Sequence, residues 1–292
     1  MEENIFNILT FDIEDWYHCT FLNIPEKEWD KCEGRIGPQL DHILKLLNKT
    51  DNKATFFTVA LLARKHPQLI KRIVDEGHEL ALHTYSHKML SEMSKEEFES
   101  DVKNSLDIFS SITDHKVAGF RAPYWSVNDE NKTHIVRTLN KFGFIYDSSI
   151  FPFKTFQYGD IKAPRYPNVL RTDNGSHIYE IPPSIMKYSD IKVPFSGGFY
   201  FRMLPYAFIK HWIKRTNSEG HPAVMYFHPY DMDPAQPKII KGLKERTIMY
   251  ANQKGCREKF NKLLHDFRFG RMDEYVKSLN LHTEVFNKPN KI

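Results

Sequence analysis

Short apolar runs alternate with amphipathic stretches along the first two thirds of the chain. Ile5–Phe11, Ala54–Val59, His78–Leu82 and Val117–Phe120 are apolar runs of strand length, and Ala223–Phe227 is a later one. Between them, Pro38–Asn48, Pro67–Asp75 and Lys95–Phe109 carry apolar residues three and four apart, the spacing of a helix face. Ser94 with Glu97 three residues on forms a capping box that predicts where the third helix starts. Strand-helix alternation with right-handed crossovers implies a parallel sheet, either closed as a barrel or open and doubly wound. The alternation breaks between residues 151 and 222, where Pro152, Pro164, Pro167, Pro182, Pro183, Pro194 and the Gly197-Gly198 pair mark long loops or hairpins. Such loops either shape a substrate groove or are ordinary surface excursions.

Chemistry collects at the ends of the predicted strands. Leu9-Thr10-Phe11-Asp12-Ile13-Glu14-Asp15 delivers three carboxylates within four residues, and these repel one another unless a cation or a shared proton compensates them. His83 and His87 supply two imidazoles four apart, a spacing that suits two nitrogen ligands on one metal. Taken singly, the acid cluster also reads as a solvated loop or helix cap, and a chain with 14 histidines produces the His spacing readily by chance. Together they point to a metallohydrolase. His228 follows the run Ala223–Phe227, so it too emerges at a strand end, and Asp231 stands close enough to orient it. In a barrel all these ends converge on one mouth, the active-site face.

Bulk properties fit one enzyme domain spanning residues 1–292. With 292 residues, 41% hydrophobic and 27% charged, the chain can bury an ordinary core. The formal charge of +4 is small, and no Lys/Arg-dense stripe is interleaved with aromatics, so nucleic acid is not an expected partner. No apolar run approaches the roughly 20 residues of a membrane span. The start Met1-Glu2-Glu3-Asn4 is acidic where a secretory signal would be basic, so a cytoplasmic location is expected. Cys19, Cys32 and Cys256 show neither metal-site nor disulfide spacing, which fits a reducing compartment.

Asp12-Ile13-Glu14-Asp15, His83-Thr84-Tyr85-Ser86-His87, Arg121-Ala122-Pro123-Tyr124-Trp125 and Phe227-His228-Pro229 follow in the order of a known motif set. In this the chain resembles the polysaccharide deacetylases (NodB-homology, carbohydrate esterase family four), over roughly residues 5 to 230. The end of the chain, about 231–292, together with Phe199-Tyr200-Phe201-Arg202 and His265-Asp266-Phe267-Arg268-Phe269-Gly270, resembles the C-terminal extension of a subfamily associated with exopolysaccharide synthesis. The resemblance implies a distorted (β/α)7 barrel with loop insertions, a choice that periodicity leaves open.

The resemblance also implies roles. Asp12 would be the general base, and a divalent metal would be held by His83, His87 and one carboxylate. The family's adjacent acidic pair is interrupted here by Ile13. Strand alternation puts Asp12 and Glu14 on one face and favours Glu14 as the ligand, whereas a turn at the strand end would present Asp15. His18 is a further histidine near the cluster, read either as an accessory ligand or as a stacking or solvent-facing residue. Zinc is the default ion for such a donor set, with cobalt, manganese, nickel or iron as alternatives. Arg121 would pair with Asp12, the backbone near Tyr124 would donate to the oxyanion, and His228 would be the acid that protonates the leaving amine. Asp147 either holds Arg121 from the other side or caps a helix. Trp125, Trp16 and Tyr17 are read as sugar-stacking residues, against the reading of aromatics as core, and Tyr124 joins Trp125 and Trp16 as substrate-binding.

The implied activity is metal-dependent removal of N-acetyl, in preference to O-acetyl, groups from a surface polysaccharide or its sugar precursor. Two alternatives stand beside it: a hydrolase of cyclic amides or ureides on the same fold, and an inactive glycan-binding module. Relatives of the first kind often lack the paired histidines kept here, and retention of base, ligands and acid argues against the second.

Overall fold

In a computed structural model of the chain, residues 6–19, 22, 24–155 and 158–280 are described. The first strand, β1 (Asn7–Ile13), is buried along its whole length. Its alternate residues Leu9, Phe11 and Ile13 pack outward with helix residues such as Leu40, Leu44 and Phe260. Ile8 belongs to a separate inner cluster, and Thr10 and Asp12, at the same alternation, meet the Arg121 side chain inside the sheet. The strand continues two residues past the predicted end, so Asp12 lies within it; Ile5, where the prediction starts it, lies outside the described residues.

The chain then alternates as the apolar pattern predicts: α1 (Ile36–Lys49), β2 (Thr55–Thr58), α2 (Ala60–Lys65), α3 (Pro67–Asp75), β3 (Glu79–Leu82), α4 (Lys95–Ile112), β4 (Gly119–Phe120), α5 (Lys132–Lys141) and β5 (Tyr146–Asp147). Ser94 and Glu97 make the reciprocal cap of α4. Residues 151–222 fold into more than loops. They form the antiparallel pair β6 (Asn168–Arg171) and β7 (His177–Glu180), the hairpin β8 (Ile185–Tyr188) and β9 (Ile191–Pro194), and the helices α6 (Gly198–Met203) and α7 (Tyr206–Ser218). Then come β10 (Val224–Phe227), α8 (Leu243–Tyr250), α9 (Gln253–Asp266), β11 (Phe269–Gly270) and α10 (Met272–Asn280).

Seven of the described strands run parallel in the order β10-β1-β2-β3-β4-β5-β7. The sheet curls into a barrel of the (β/α)7 type. The seam between β7 and β10 is bridged by Ser184, whose N–H donates to Val224 O at 3.1 Å and whose Oγ accepts from Val224 N at 2.8 Å. At the N-terminal end of the barrel, Met272 and Val276 of α10 plug the interior against Ile8, Phe57, Ala81 and Tyr146. The C-terminal ends of β1, β3, β4 and β10 stay open toward a cleft, and the residues that follow them build the site. No helix among the described residues is long and apolar enough to cross a membrane.

Candidate active site and metal centre

The end of β1 divides its three acids. Asp12 is still in the strand and points inward, where Oδ1 accepts from Arg121 Nη1 at 2.6 Å. Glu14, just beyond the strand, points the same way. Asp15 turns aside: Oδ1 accepts from Trp16 N at 2.9 Å, and Oδ2 from Arg35 N at 2.7 Å and Ile36 N at 3.2 Å. The sequence leaves Glu14 and Asp15 open as ligands. The structure groups Glu14 with the histidines and puts Asp15 in a capping role behind them.

Glu14, His83 and His87 offer one ligand atom each, all within 4.8 Å of one another and all buried. His83 follows β3 directly, and its Nδ1 lies 2.7 Å from Arg121 O; His87 Nδ1 lies 3.2 Å from His18 O. A carbonyl only accepts, so each Nδ1 must carry the proton and each Nε2 presents a lone pair, as in metal sites whose outer partners fix the tautomer. His87 Nε2 then faces Glu14 Oε2 at 2.6 Å, and that oxygen is buried with no hydrogen-bond donor among the described residues. Two electron-rich atoms at that distance call for a cation or a proton between them, so the donor set fits a divalent metal. Burial lowers His83 to about 4, which keeps it neutral and ligand-competent at pH 7. Burial alone would raise Glu14, but the rings of His87, His228 and His83, when they carry charge, outweigh it and hold the carboxyl well below the usual carboxylate range.

His18 stays outside the cluster. Its Nδ1 accepts from Asp15 N at 2.9 Å, and burial lowers it to about 3. Thr84 and His87 sit at φ of 63° and 61°, and Tyr124 and Trp125 at 54° and 45°. Non-glycine residues in this left-handed region cost about 1–2 kcal/mol each, a strain kept where neighbours enforce it. One enforcing group is Asp101, whose two oxygens lie 3.0 and 3.1 Å from Tyr85 N.

On the other side of the cluster, His228 follows β10. Its Nε2 lies 3.4 Å from Glu14 Oε1 and 3.8 Å from Asp12 Oδ2, and its Nδ1 lies 3.3 Å from Asp231 Oδ2. Burial opposes protonation, but Asp231, Glu14 and Asp12 outweigh it and push His228 up to about 9. Glu14 Oε1 also accepts from the buried Tyr230 hydroxyl at 2.8 Å. Tyr230 carries no signal in the sequence, because its partner is 216 positions away.

Arg121 is fully buried beneath Asp12, and its guanidinium carbon lies 4.1 Å from the centre of the Phe57 ring. It also donates to Thr10 Oγ1, Ser148 O and Ser148 Oγ at 2.9, 3.2 and 2.9 Å. Asp147, read in the sequence as a direct partner of Arg121 or a cap, instead takes the Ser149 hydroxyl, and Ser149 Oγ in turn accepts from Ala122 N at 2.8 Å. Burial raises Asp147 above the usual carboxylate range, and burial with the facing Asp147 raises Glu180 well above its ordinary value. The Thr10 contact is within reach of the sequence, since Thr10 precedes Asp12 by one strand period.

Asp12, Glu14, His83, His87, His228, Tyr230 and Asp231 open into one cleft of about 800 Å³, walled by Tyr124, Trp125, Phe153, Tyr158, Phe199 and Tyr200 and by the 243–249 segment. The buried Trp125 Nε1 has no hydrogen-bond partner among the described residues, which leaves a donor in the cleft wall. Trp16 does not reach the cleft. It packs with Tyr17, Tyr230, Ile240 and Met249, and its Nε1 donates to Glu33 O at 2.9 Å. The competing reading of Trp16 as core describes its place.

Residues 29–144 match the polysaccharide deacetylase family profile, and residues 148–277 match a domain of unknown function, DUF3473. A peptidoglycan-N-acetylglucosamine deacetylase of Bacillus cereus is 33% identical over 94 residues, 31% of this chain and 34% of the relative. A peptidoglycan deacetylase of Helicobacter pylori is 32% identical over 117 residues, 40% of this chain and 38% of the relative. The chain thus spans between a third and two fifths of the length of these relatives. In structure, a candidate polysaccharide deacetylase from Mycobacterium smegmatis superposes with a TM-score of 0.63 at 18% identity, over 99% of this chain and 96% of that one. A variant of the Bacillus subtilis peptidoglycan deacetylase PdaC superposes with a TM-score of 0.51 at 16% identity, over 98% and 97% of the two chains. The motif set and the profile match give this chain a polysaccharide deacetylase (NodB-homology, carbohydrate esterase family four) domain, followed by a DUF3473 segment, and the superpositions show the barrel fold.

Proposed function

We propose that this protein is a metal-dependent hydrolase that removes N-acetyl groups from a surface polysaccharide or its sugar precursor. One observation carries the reading. The three-ligand cluster Glu14, His83 and His87 lies beside two groups suited to move protons, Asp12 and His228, at the mouth of one cleft. The names of the relatives, a peptidoglycan-N-acetylglucosamine deacetylase and a peptidoglycan deacetylase, support the substrate class.

Glu14, His83 and His87 would hold the ion through one carboxylate oxygen and two Nε2 atoms. Zinc suits this donor set best, and cobalt, manganese, nickel or iron also fit it. When bound, such an ion lowers the pKa of water toward 7 and polarises a carbonyl. The chain's own residues supply the rest. Arg121 occupies Asp12 Oδ1 and leaves Oδ2 facing the cluster, placed to take the proton of the attacking water. An amine anion is a very poor leaving group, so the nitrogen must be protonated as the C–N bond breaks. His228 is placed to deliver that proton from Nε2, with Asp231 behind Nδ1. Tyr124 and Trp125, held at left-handed backbone angles, would flank the sugar.

The test is acetate release from N-acetylated chitin and peptidoglycan oligomers by metal-loaded and chelated protein. Release that needs metal and vanishes in Asp12→Asn with metal retained is expected. No release from any acetylated glycan by fully loaded protein would overturn the proposal.

A further inference from the structure

Gly197 and Gly198 allow α6 to pass unusually close to the partner of the acid. A Cβ at Gly198 would lie 1.8 Å from Asp231 Oδ2, and one at Gly197 would lie 2.1 Å from the Tyr226 hydroxyl. This approach sets Arg202, only 2% exposed, behind Asp231, with Nε 3.2 Å from Asp231 Oδ1. The other edge of the guanidinium turns to the end of α8. Nη1 donates to Ala251 O at 2.7 Å and Met249 O at 3.3 Å, and Nη2 donates to Ile248 O. Carbonyls at a helix C-terminus carry partial negative charge and favour a cation there. Leu243, Thr247, Ile248 and Met249 of this same helix line the cleft. The arginine is itself fixed from behind, since its carbonyl accepts from Asn252 Nδ2 at 2.7 Å and Lys259 Nζ at 2.9 Å.

One guanidinium therefore connects two things the reaction would need: the carboxylate that faces His228 Nδ1 and a wall of the substrate cleft. The guanidinium charge forms an ion pair with the carboxylate at Nε, without a hydrogen bond there, while Nη1 and Nη2 donate to the carbonyls, a planar spread that a lysine ammonium does not match. Asp231 is equally committed, because its Oδ2 also accepts from the His228 backbone N–H at 2.8 Å.

We infer that Arg202 is a positioning residue for His228, holding Asp231 against the imidazole and tying that pair to the 243–251 wall, so that the aim of Nε2 is set together with the shape of the cleft. The inference rests on the deacetylase reading. It gives Phe199-Tyr200-Phe201-Arg202, inside the DUF3473 match, the role of supporting the acid from the side opposite the metal.

The experiment compares Arg202→Met, Arg202→Gln and Arg202→Lys with wild type. It measures metal content, melting temperature, and kcat/KM for an N-acetylated chito-oligomer and for nitrophenyl acetate, whose leaving group departs without an acid. Loss of an outer-shell support typically costs 10–100-fold. The amide activity of Arg202→Met and Arg202→Gln should fall by about that factor with metal retained, the ester activity should fall much less, and Arg202→Lys should recover part of the amide loss. Equal losses on both substrates that track the melting temperature would reduce Arg202 to a structural staple and overturn the inference. The 15N resonances of the His228 ring give a reading independent of turnover. They should shift and broaden in Arg202→Met, and unchanged resonances would also overturn the inference. If wild-type protein hydrolysed neither substrate, the deacetylase reading would fall while the ring resonances still decided the role of Arg202 in holding His228.

Discussion

Replacing Asp15 by alanine should cost the protein stability and leave its metal affinity intact, whereas replacing Glu14 by glutamine should do the reverse. The carboxylate of Asp15 accepts from three backbone N–H groups, of Trp16, Arg35 and Ile36, at 2.9, 2.7 and 3.2 Å. Alanine strips all three of their acceptor. A buried donor left unpaired costs about 1–3 kcal/mol, and water can reach the partly buried Arg35 N–H, so the total should be about 3–5 kcal/mol. At about 2–4 °C per kcal/mol for a chain of this size, the melting temperature of the metal-free protein should drop by roughly 10 °C. Zinc affinity, measured by competition with a chelator, should stay within about threefold, a change worth under 1 kcal/mol.

Glu14→Gln keeps a side chain that can still pair with the Tyr230 hydroxyl, which lies 2.8 Å from Oε1, so the metal-free protein should melt close to wild type. It removes the only anion among the three clustered ligand atoms. Losing outer partners of a metal site typically costs 10–100-fold in affinity, so losing this inner ligand should cost at least about 100-fold, near 2.7 kcal/mol. If Asp15→Ala released metal while Glu14→Gln kept it, the division of labour read from the end of β1 would be wrong.

Three further outcomes are expected. His228→Ala should cut kcat/KM on an N-acetylated sugar by about 10²–10⁴ and spare an activated acetyl ester, and equal losses would mean that His228 only shapes the cleft. His87→Ala should lose metal by elemental analysis while the metal-free protein melts near the wild-type temperature, because the side chain contributes a ligand rather than core packing. Asp101 should make stability fall with rising pH. Burial pushes its folded pKa up to about 7 from an ordinary 3.8, so the unfolded chain releases this proton first and the folded state loses up to about 4 kcal/mol between about pH 4 and 7, with no further change above. Asp101→Asn should flatten that stretch of a melting-temperature profile, and parallel profiles would refute the assignment.

The parts of the site that follow from one strand or one loop are legible in the sequence. Period-two alternation puts Asp12 and Glu14 on one face, and β1 does carry Leu9, Phe11 and Ile13 outward and Thr10 and Asp12 inward. The turn that removes Asp15 is harder to see, because its capping partner is His18 where Glu or Gln is the usual third residue. Trp16 shows the limit of side-chain chemistry as a guide, since the same indole that suits a sugar face also fills the small core over Tyr230 and Met249. Tyr230, the 243–249 wall and what Arg202 does within its motif are invisible for a different reason. Each works through contacts that cross from one distant segment to another, and neither periodicity nor motif spacing encodes which segments meet. The hairpins within 151–222 are among the readings that its prolines allow, but the two helices there are hidden by prolines that punctuate short elements as often as they mark loops.

The arrangement also bears on the segment of unknown function. The two profile matches part between residues 144 and 148, yet the cleft ignores that boundary. Asp12 and Glu14 precede both matches, His83, His87 and Arg121 lie in the first, and His228, Tyr230, Asp231 and the 243–249 wall lie in the second. The backbone crosses it too, because β1 is paired along one edge by β10 and at its start by β11, both from the DUF3473 match, and by β2 from the first. Two of the seven parallel strands, β7 and β10, come from that second segment. A barrel with those strands removed has no partner for β1 on one edge and no support for the residue placed as acid. The DUF3473 segment therefore completes the barrel and brings His228, Tyr230, Asp231 and the 243–249 wall to the cleft that Asp12, Glu14, His83 and His87 also line.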